Sequence, residues 1–229
     1  QRMDDMTPTV WEEADGAGLS ATINKISGGS AGATIEYTPS MTPDGLTARF
    51  AFTPDSDGSS STGDKTGGGS SGIAAQGWDL TFEASSDLIG MDGLTLYGGI
   101  SQVDQYTNAT TVSGNRDETV IGAKYAAGAF TVGYQITDED TGLTGTTNYQ
   151  NTSYGITFNV NDDLSIGYAH TESDKQGDSD TAEADSIQAA YTMGGATFRI
   201  AEVDVTNQAY SSAATADLDA TIISLGLAF

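Results

Sequence analysis

The feature that most restricts this chain is an alternation with a period of two, running from about residue 30 to the last residue. In the terminal stretch Thr221-Ile222-Ile223-Ser224-Leu225-Gly226-Leu227-Ala228-Phe229, one face carries Ile223, Leu225, Leu227 and Phe229. The other carries Ile222, Ser224, Gly226 and Ala228. Successive side chains of a β-strand point to opposite faces of its sheet, so this pattern describes a strand with one greasy face and not a helix of period 3.6. The same phase recurs in Ala33, Ile35, Tyr37, in Leu46, Ala48, Phe50, Phe52, in Trp78, Leu80, Phe82, Ala84, and in Leu94, Leu96, Ile100. It continues through Ile121, Ala123, Tyr125, then Phe130, Val132, Tyr134, Ile136, then Tyr154, Ile156, Phe158, Val160, and then Leu164, Ile166, Tyr168. Ile187, Ala189, Tyr191 and Phe198, Ile200 supply two more strands, which with the last makes eleven.

The connections separate a soluble sandwich from a membrane barrel, because outer-membrane barrels alternate short turns on one side with long loops on the other. Short connections are expected at Pro39 to Gly45, Ser86 to Gly93, Ala126 to Gly128, Asn161 to Asp163 and Gly194-Gly195. Long ones, rich in Gly, Ser, Thr, Asn and Asp, run at about 54–75, 104–117, 138–148, 171–184 and 204–217. Counted back from Phe229 at the periplasmic side, every long connection falls outside and every short one inside. The expected fold is therefore all-β, an antiparallel transmembrane β-barrel. Tyr125, Tyr134, Tyr154 and Tyr168 stand where an interfacial aromatic girdle would place them.

Composition removes other classes. Eight Lys and Arg against 32 Asp and Glu give a formal charge of -24, which disfavours nucleic acid, since phosphate binding needs clustered cations. There is no cysteine, hence neither a disulfide framework nor a thiolate site. No run reaches the roughly 18 apolar residues of a spanning helix, and the mean hydropathy is -0.27. The chain opens on Gln1 without a basic segment and apolar run, so a signal peptide is not expected within it and the chain reads as processed or incomplete.

Residues 1–29 lack the alternation seen from Ser30 onward. Thr9 with Glu12 three positions on fits a capping box, and Pro8 favours an abrupt start, so a short helix at about Val10 to Ala14 is expected. Here the sequence resembles the general diffusion porins of the outer membrane, most of all the alphaproteobacterial type. The likeness rests on the strand closing at Phe229 and on Met3-Asp4-Asp5-Met6-Thr7-Pro8-Thr9-Val10-Trp11-Glu12-Glu13, followed by a Gly-rich run and Ala33-Thr34-Ile35-Glu36-Tyr37-Thr38-Pro39-Ser40.

The resemblance implies that residues 1–29 are the third external loop, folded into the lumen as a constriction, and that residues 30–229 hold strands 6–16 of a sixteen-stranded barrel. Strands one to five are then missing from this chain, by cleavage or truncation, and must be supplied. The resemblance also implies a homotrimer, a Gram-negative outer membrane with its lipid and lipopolysaccharide as surroundings, and Phe229 as the signal read by the barrel-assembly machinery.

The expected function is a water-filled channel for passive diffusion of small hydrophilic solutes and ions. Asp4, Asp5, Glu12, Glu13 and Asp15 concentrate carboxylates at its constriction, and a narrow passage focuses such charge. Strand phase puts Arg49, Lys124 and Arg199 on the lumen side, opposite Phe50, Tyr125 and Phe198, with Lys124 and Arg199 towards the periplasmic end. In the family most of the opposing basic cluster comes from the early strands. Two other readings stay open. An autotransporter translocator would need a twelfth strand within residues 16–26, where Leu19, Ala21 and Ile23 alternate, and a surface or adhesive barrel would use its loops and not its lumen.

An enzyme is not expected. The one histidine, His170, falls in phase with Leu164, Ile166 and Tyr168 on the lipid face, with Thr171 and Ser173 close in sequence, and reads as an interfacial aromatic. Asp55-Ser56-Asp57-Gly58 and Asp178-Ser179-Asp180 offer hard oxygen ligands of the kind calcium takes, and a divalent ion there would bridge to lipopolysaccharide phosphates. Neither run matches an EF-hand, and solvated acidic loops are the plainer alternative. Gly67-Gly68-Gly69 lacks the lysine and helix of a phosphate loop. No resident cofactor is expected.

Overall fold

The computed structural model of the chain describes residues 26, 34–54, 76–105, 112–145, 148–213 and 215–227. Eleven antiparallel strands follow one another as neighbours in a single sheet: β1 (Ile35–Tyr37), β2 (Leu46–Thr53), β3 (Gly77–Ala84), β4 (Leu94–Val103), β5 (Arg116–Ala127) and β6 (Phe130–Asp140), then β7 (Tyr149–Asn159), β8 (Leu164–Lys175), β9 (Ala182–Met193), β10 (Ala196–Thr206) and β11 (Leu218–Leu227). A four-residue helix, α1 (Ser86–Ile89), sits in the connection between β3 and β4 and ends at Gly90 in the left-handed conformation. Sequence pattern marks that stretch only as a turn. The expected helix at Val10 to Ala14 lies outside the described residues, as does Phe229.

One end of the sheet is closed by tight turns whose chemistry is local. Asn161 Oδ1 accepts from the backbone N–H of Asp163 at 2.9 Å and of Leu164 at 2.8 Å, an Asx turn that reverses the chain between β7 and β8. Gly194, at φ 60°, takes the left-handed position of the two-residue hairpin between β9 and β10. At the other end the strands run further than the apolar alternation indicates. β8 continues to Lys175 and β9 begins at Ala182, so the connection expected at 171–184 shrinks to 176–181. Backbone pairing goes on after the side chains turn polar, because the ladder needs only N–H and C=O groups.

The ladders show why the apolar face is a band. A row across the sheet joins Phe130, Phe158, Ile166, Ala189, Ile200 and Ile223 as direct partners. Four residues further towards the long-loop end, the row of partners reads Tyr134, Tyr154, His170, Asp185, Asp204 and Asp219. Strands in such sheets are tilted by about 40°, so a row perpendicular to them climbs relative to the apolar band and leaves it partway across. Tyr134 and Tyr154 thus stand near the middle of their strands yet at the upper margin of the band, not at strand ends as the sequence suggests.

On this face Ile121 and Ile187 are 66% and 67% exposed, with Ile223 and Leu225 at 63% each. Such a continuous apolar surface marks contact with lipid or a partner and not with water. Above it, the single described histidine is held in a polar knot. His170 Nδ1 lies 2.9 Å from Asp185 Oδ1 and Nε2 lies 3.2 Å from Glu172 Oε1, while Tyr168 Oη donates to Asp185 at 2.5 Å.

The opposite face carries small and polar groups and one close fit across three strands. Tyr97 of β4 lies over Gly122 of β5, where a Cβ would stand 2.4 Å from the ring, and its hydroxyl donates to Gln135 Oε1 of β6 at 3.2 Å. Gly122→Ala should displace the ring and lower stability by about 1–2 kcal/mol. In a double-mutant cycle with Tyr97→Ala, measured by denaturant unfolding, that cost should vanish. The face assignment has its own check. Ile156→Arg, on the apolar band, should cost about 2–4 kcal/mol in lipid or detergent unfolding, whereas Thr157→Arg, one residue on and inward, should be close to neutral.

Candidate functional site

The site is the polar face of the sheet. Every described Lys and Arg stands on it: Arg49 in β2, Arg116 and Lys124 in β5, Lys175 in β8 and Arg199 in β10. Register fixes this, since each is out of phase with the apolar partners Phe50, Ile121, Tyr125, Ile166 and Phe198 on its own strand. Among the described strand residues the ionisable side chains of the apolar phase other than tyrosine are His170 and carboxylates such as Asp138, Glu172, Asp185 and Glu202, all at the long-loop end. A cation reaching sideways would meet hydrocarbon over most of a strand's length, whereas inward it meets water and counter-charge.

Arg49, Lys124 and Arg199 thus share the polar face, each one position from Phe50, Tyr125 and Phe198 respectively. They are not gathered into one cluster. Adjacent strands lie about 4.8 Å apart, so Arg49 and Lys124, three strands apart, are separated by roughly 15 Å across the wall. Arg49 pairs across the ladder with Thr81, and Lys124 with Thr95 and Gly133. Arg199 pairs with Ala190 and Ser224, and lines an open recess of about 480 Å³ with Thr197, Ser224 and Gly226 beside the Gly194-Gly195 turn. The carboxylates Asp4, Asp5, Glu12, Glu13 and Asp15 lie outside the described residues, as do Asp55 and Asp57.

A charged cluster that sequence reasoning misses lies at the long-loop end. Arg116 Nε donates to Glu139 Oε1 at 2.8 Å, and the same guanidinium bonds Glu118, all three side chains being buried. Two carboxylates around one guanidinium hold it in a fixed plane and leave the cluster with net negative charge. Arg116 falls inside a stretch expected to be loop; its phase with Lys124 is the available signal. Around it the external connections are tied together. Val112 bridges Leu143, Gln105 Nε2 donates to the Thr141 carbonyl at 2.6 Å, and Asn115 Nδ2 donates to Asp104 Oδ1 at 3.0 Å.

The residues singled out for other chemistry are separated by the same parity. Ser173 points to the polar face, where its hydroxyl lies 2.8 Å from Tyr210 Oη, while His170 points to the apolar one, so the two do not meet. Asp178 accepts from Lys175 Nζ at 2.6 Å and Asp180 accepts from the backbone N–H of Ser212 at 3.1 Å. Among the described residues no three His, Asp or Glu groups are placed to hold a metal ion.

One residue ahead of β1 and one connection lie against this inner wall. Ile26, of the stretch preceding β1, is 1% exposed and packs with Val120 and Tyr97, both inward residues. The β10–β11 connection turns in as well. Tyr210 sits 5.6 Å, centroid to centroid, from Tyr149, and Lys175 Nζ lies 5.5 Å from its ring centre. Asn207, Ala209 and Tyr210 have φ of 52°, 57° and 59°, a left-handed conformation that costs a non-glycine residue about 1 kcal/mol or more.

Known proteins share this geometry. A family model described as Gram-negative porin matches residues 2–227. No curated protein matches. Among solved structures, Salmonella typhi OmpF in complex with daunomycin superposes with a TM-score of 0.65 at 13% identity, covering 87% of this chain and 61% of that one. A refined porin structure superposes at 0.59 and 12% identity, with 84% and 60% covered, and OmpT, an outer membrane protein of Vibrio cholerae, at 0.51 and 13%, with 84% and 60% covered. The chain thus spans about three fifths of the length of these structures. Eleven strands with a lipid-facing band and an inward polar wall, matched by one family over almost their whole length, make this chain a member of the Gram-negative porin family, the greater part of an outer-membrane β-barrel.

Proposed function

We propose that this chain forms most of the wall of a water-filled channel through which small hydrophilic solutes and ions diffuse passively, with residues 1–29 folded inside the barrel as its constriction. The observation that carries the second half is Ile26. A residue of a solvated surface loop has no reason to be buried on the inward residues Tyr97 and Val120. A segment anchored there keeps the acidic stretch ahead of it within reach of the lumen. The segregation of charge supports the first half, since a wall that collects every described Lys and Arg and keeps Thr and Ser between them is built to be wetted.

β1 and β11 are the two edges of the sheet. In hydrocarbon an unpaired strand edge leaves backbone groups unsatisfied at several kcal/mol each, so both edges are paired in the bilayer. Strands one to five of the same protein, as a continuous or separate polypeptide, fill that role. They bring with them most of the cations facing the acidic loop, which accords with the dispersal of Arg49, Lys124 and Arg199. The complete barrel works as a homotrimer inserted by the barrel-assembly machinery through the signal at Phe229, with lipopolysaccharide around its outer leaflet.

With a formal charge of -24, the pore should show weak cation preference and no saturable solute site. Single-channel conductance and reversal potential in a salt gradient test the constriction, comparing the native pore with Asp4→Asn, Asp5→Asn, Glu12→Gln and Glu13→Gln combined. Cation preference should fall and conductance should change. A variant indistinguishable from the native channel removes the acidic segment from the constriction.

A further inference from the structure

A porin wall is expected to be polar and wet on its inner face, yet at the external end of β9, β10 and β11 it is neither. Ala184, Ala201, Val203 and Val205 form a buried inward cluster, with Leu218 and Ile222 packed against it. The neighbouring inward residues Ala182 and Ser173 are both 0% exposed. Glu202 and Asp204, which alternate with these valines along β10, are exposed on the other side. On these three strands burial is thus confined to the lumen side.

The β10–β11 connection contacts the wall beside this cluster, at β7 and β8. Tyr210 reaches back across two strands, its hydroxyl 2.8 Å from Ser173 of β8 and its ring against Tyr149 of β7 and the Lys175 ammonium. Asn207 Nδ2 donates to the Thr181 carbonyl at 2.9 Å, and the Ser212 N–H donates to Asp180 Oδ2 at 3.1 Å, so the segment is tied on both sides of the tyrosine to the β8–β9 connection. The backbone at Ala209 and Tyr210 is left-handed, so the connection holds a strained conformation where these contacts are made.

We propose that residues 207–213 form a second restriction of the pathway, at its external mouth, latched to the wall by Tyr210, and that this restriction lowers the size limit for polar solutes entering from outside. The proposal rests on the channel reading above. A chain laid on the wall takes up roughly 5–10 Å of the bore, comparable to the width of a small sugar. Tyr210 acts as a positioning residue. It holds the segment down and touches solute only at its edge.

The experiment uses the full-length protein in planar bilayers and in liposomes swollen by saccharides of increasing size. Tyr210→Ala should raise single-channel conductance roughly 1.5-fold and admit larger saccharides, while Tyr210→Phe, which keeps both ring contacts, should stay near the native value. A second readout reports the latch itself. This chain has no cysteine, so Ser173→Cys introduces a site whose reaction with a membrane-impermeant maleimide, followed by peptide mass spectrometry, should be slow under Tyr210 and at least about tenfold faster beside Tyr210→Ala. Should Tyr210→Ala not assemble, Asn207→Ala with Asp180→Ala releases the other two ties and is read in the same way. A native protein that conducts, with variants of unchanged conductance and size limit, overturns the restriction whether or not the thiol becomes reactive. A native protein that forms no channel overturns the channel reading instead, and the restriction with it.

Discussion

Everything in this structure depends on the obligation to pair backbone amides where no water is present. In hydrocarbon an N–H or C=O without a partner is worth several kcal/mol of instability, and strands satisfy theirs only through neighbours. That obligation explains why eleven strands form one uninterrupted ladder in chain order. It also explains why pairing continues beyond the apolar band, and why charge is sorted by face. A strand cannot bend out of the sheet to rescue a misplaced lysine, so the sequence has to place it correctly at every second residue. Arg49, Lys124 and Arg199, each one position away from an aromatic side chain, show how narrow that margin is.

How much of this is legible in the sequence differs between layers. Strand number, order and the two faces can be read directly, because a period of two has only one structural meaning and each strand reports it independently. Loop boundaries are misjudged wherever side-chain polarity serves as a proxy for backbone pairing, as at Lys175 and Ala182, since polar strands above a bilayer look like loops. The Arg116–Glu118–Glu139 cluster is hidden for the same reason, because it falls in a stretch that looks like a connection. α1 escapes notice because four residues leave no periodicity to detect.

The inward turn of the last connection is illegible for a different reason. Its signature in sequence is a set of small apolar residues, Ala182, Ala184, Val203 and Val205, at positions where a wetted wall prefers polar ones. Alternation scores only the large residues of the other face, and so it discards that signal. Tyr210, lying in a polar stretch with no strand phase, carries no hint that its partner is thirty-seven residues earlier. Contacts between loops and distant wall are set by tertiary reach, which local pattern does not encode.

The row that passes from Tyr134 through His170 to Asp185, Asp204 and Asp219 has a mechanical meaning. It is a waterline. Sinking the barrel by one residue pair would drag carboxylates into the acyl region, and lifting it would expose isoleucine and leucine to water, so both displacements meet a restoring force. The molecule therefore floats at a draught set by its own flank. Because the ladder makes the strands one lattice, that draught also sets the height above the bilayer at which the external connections begin. A bilayer of different thickness would meet this by deforming its own lipids around the flank, leaving the height of the mouth to the protein.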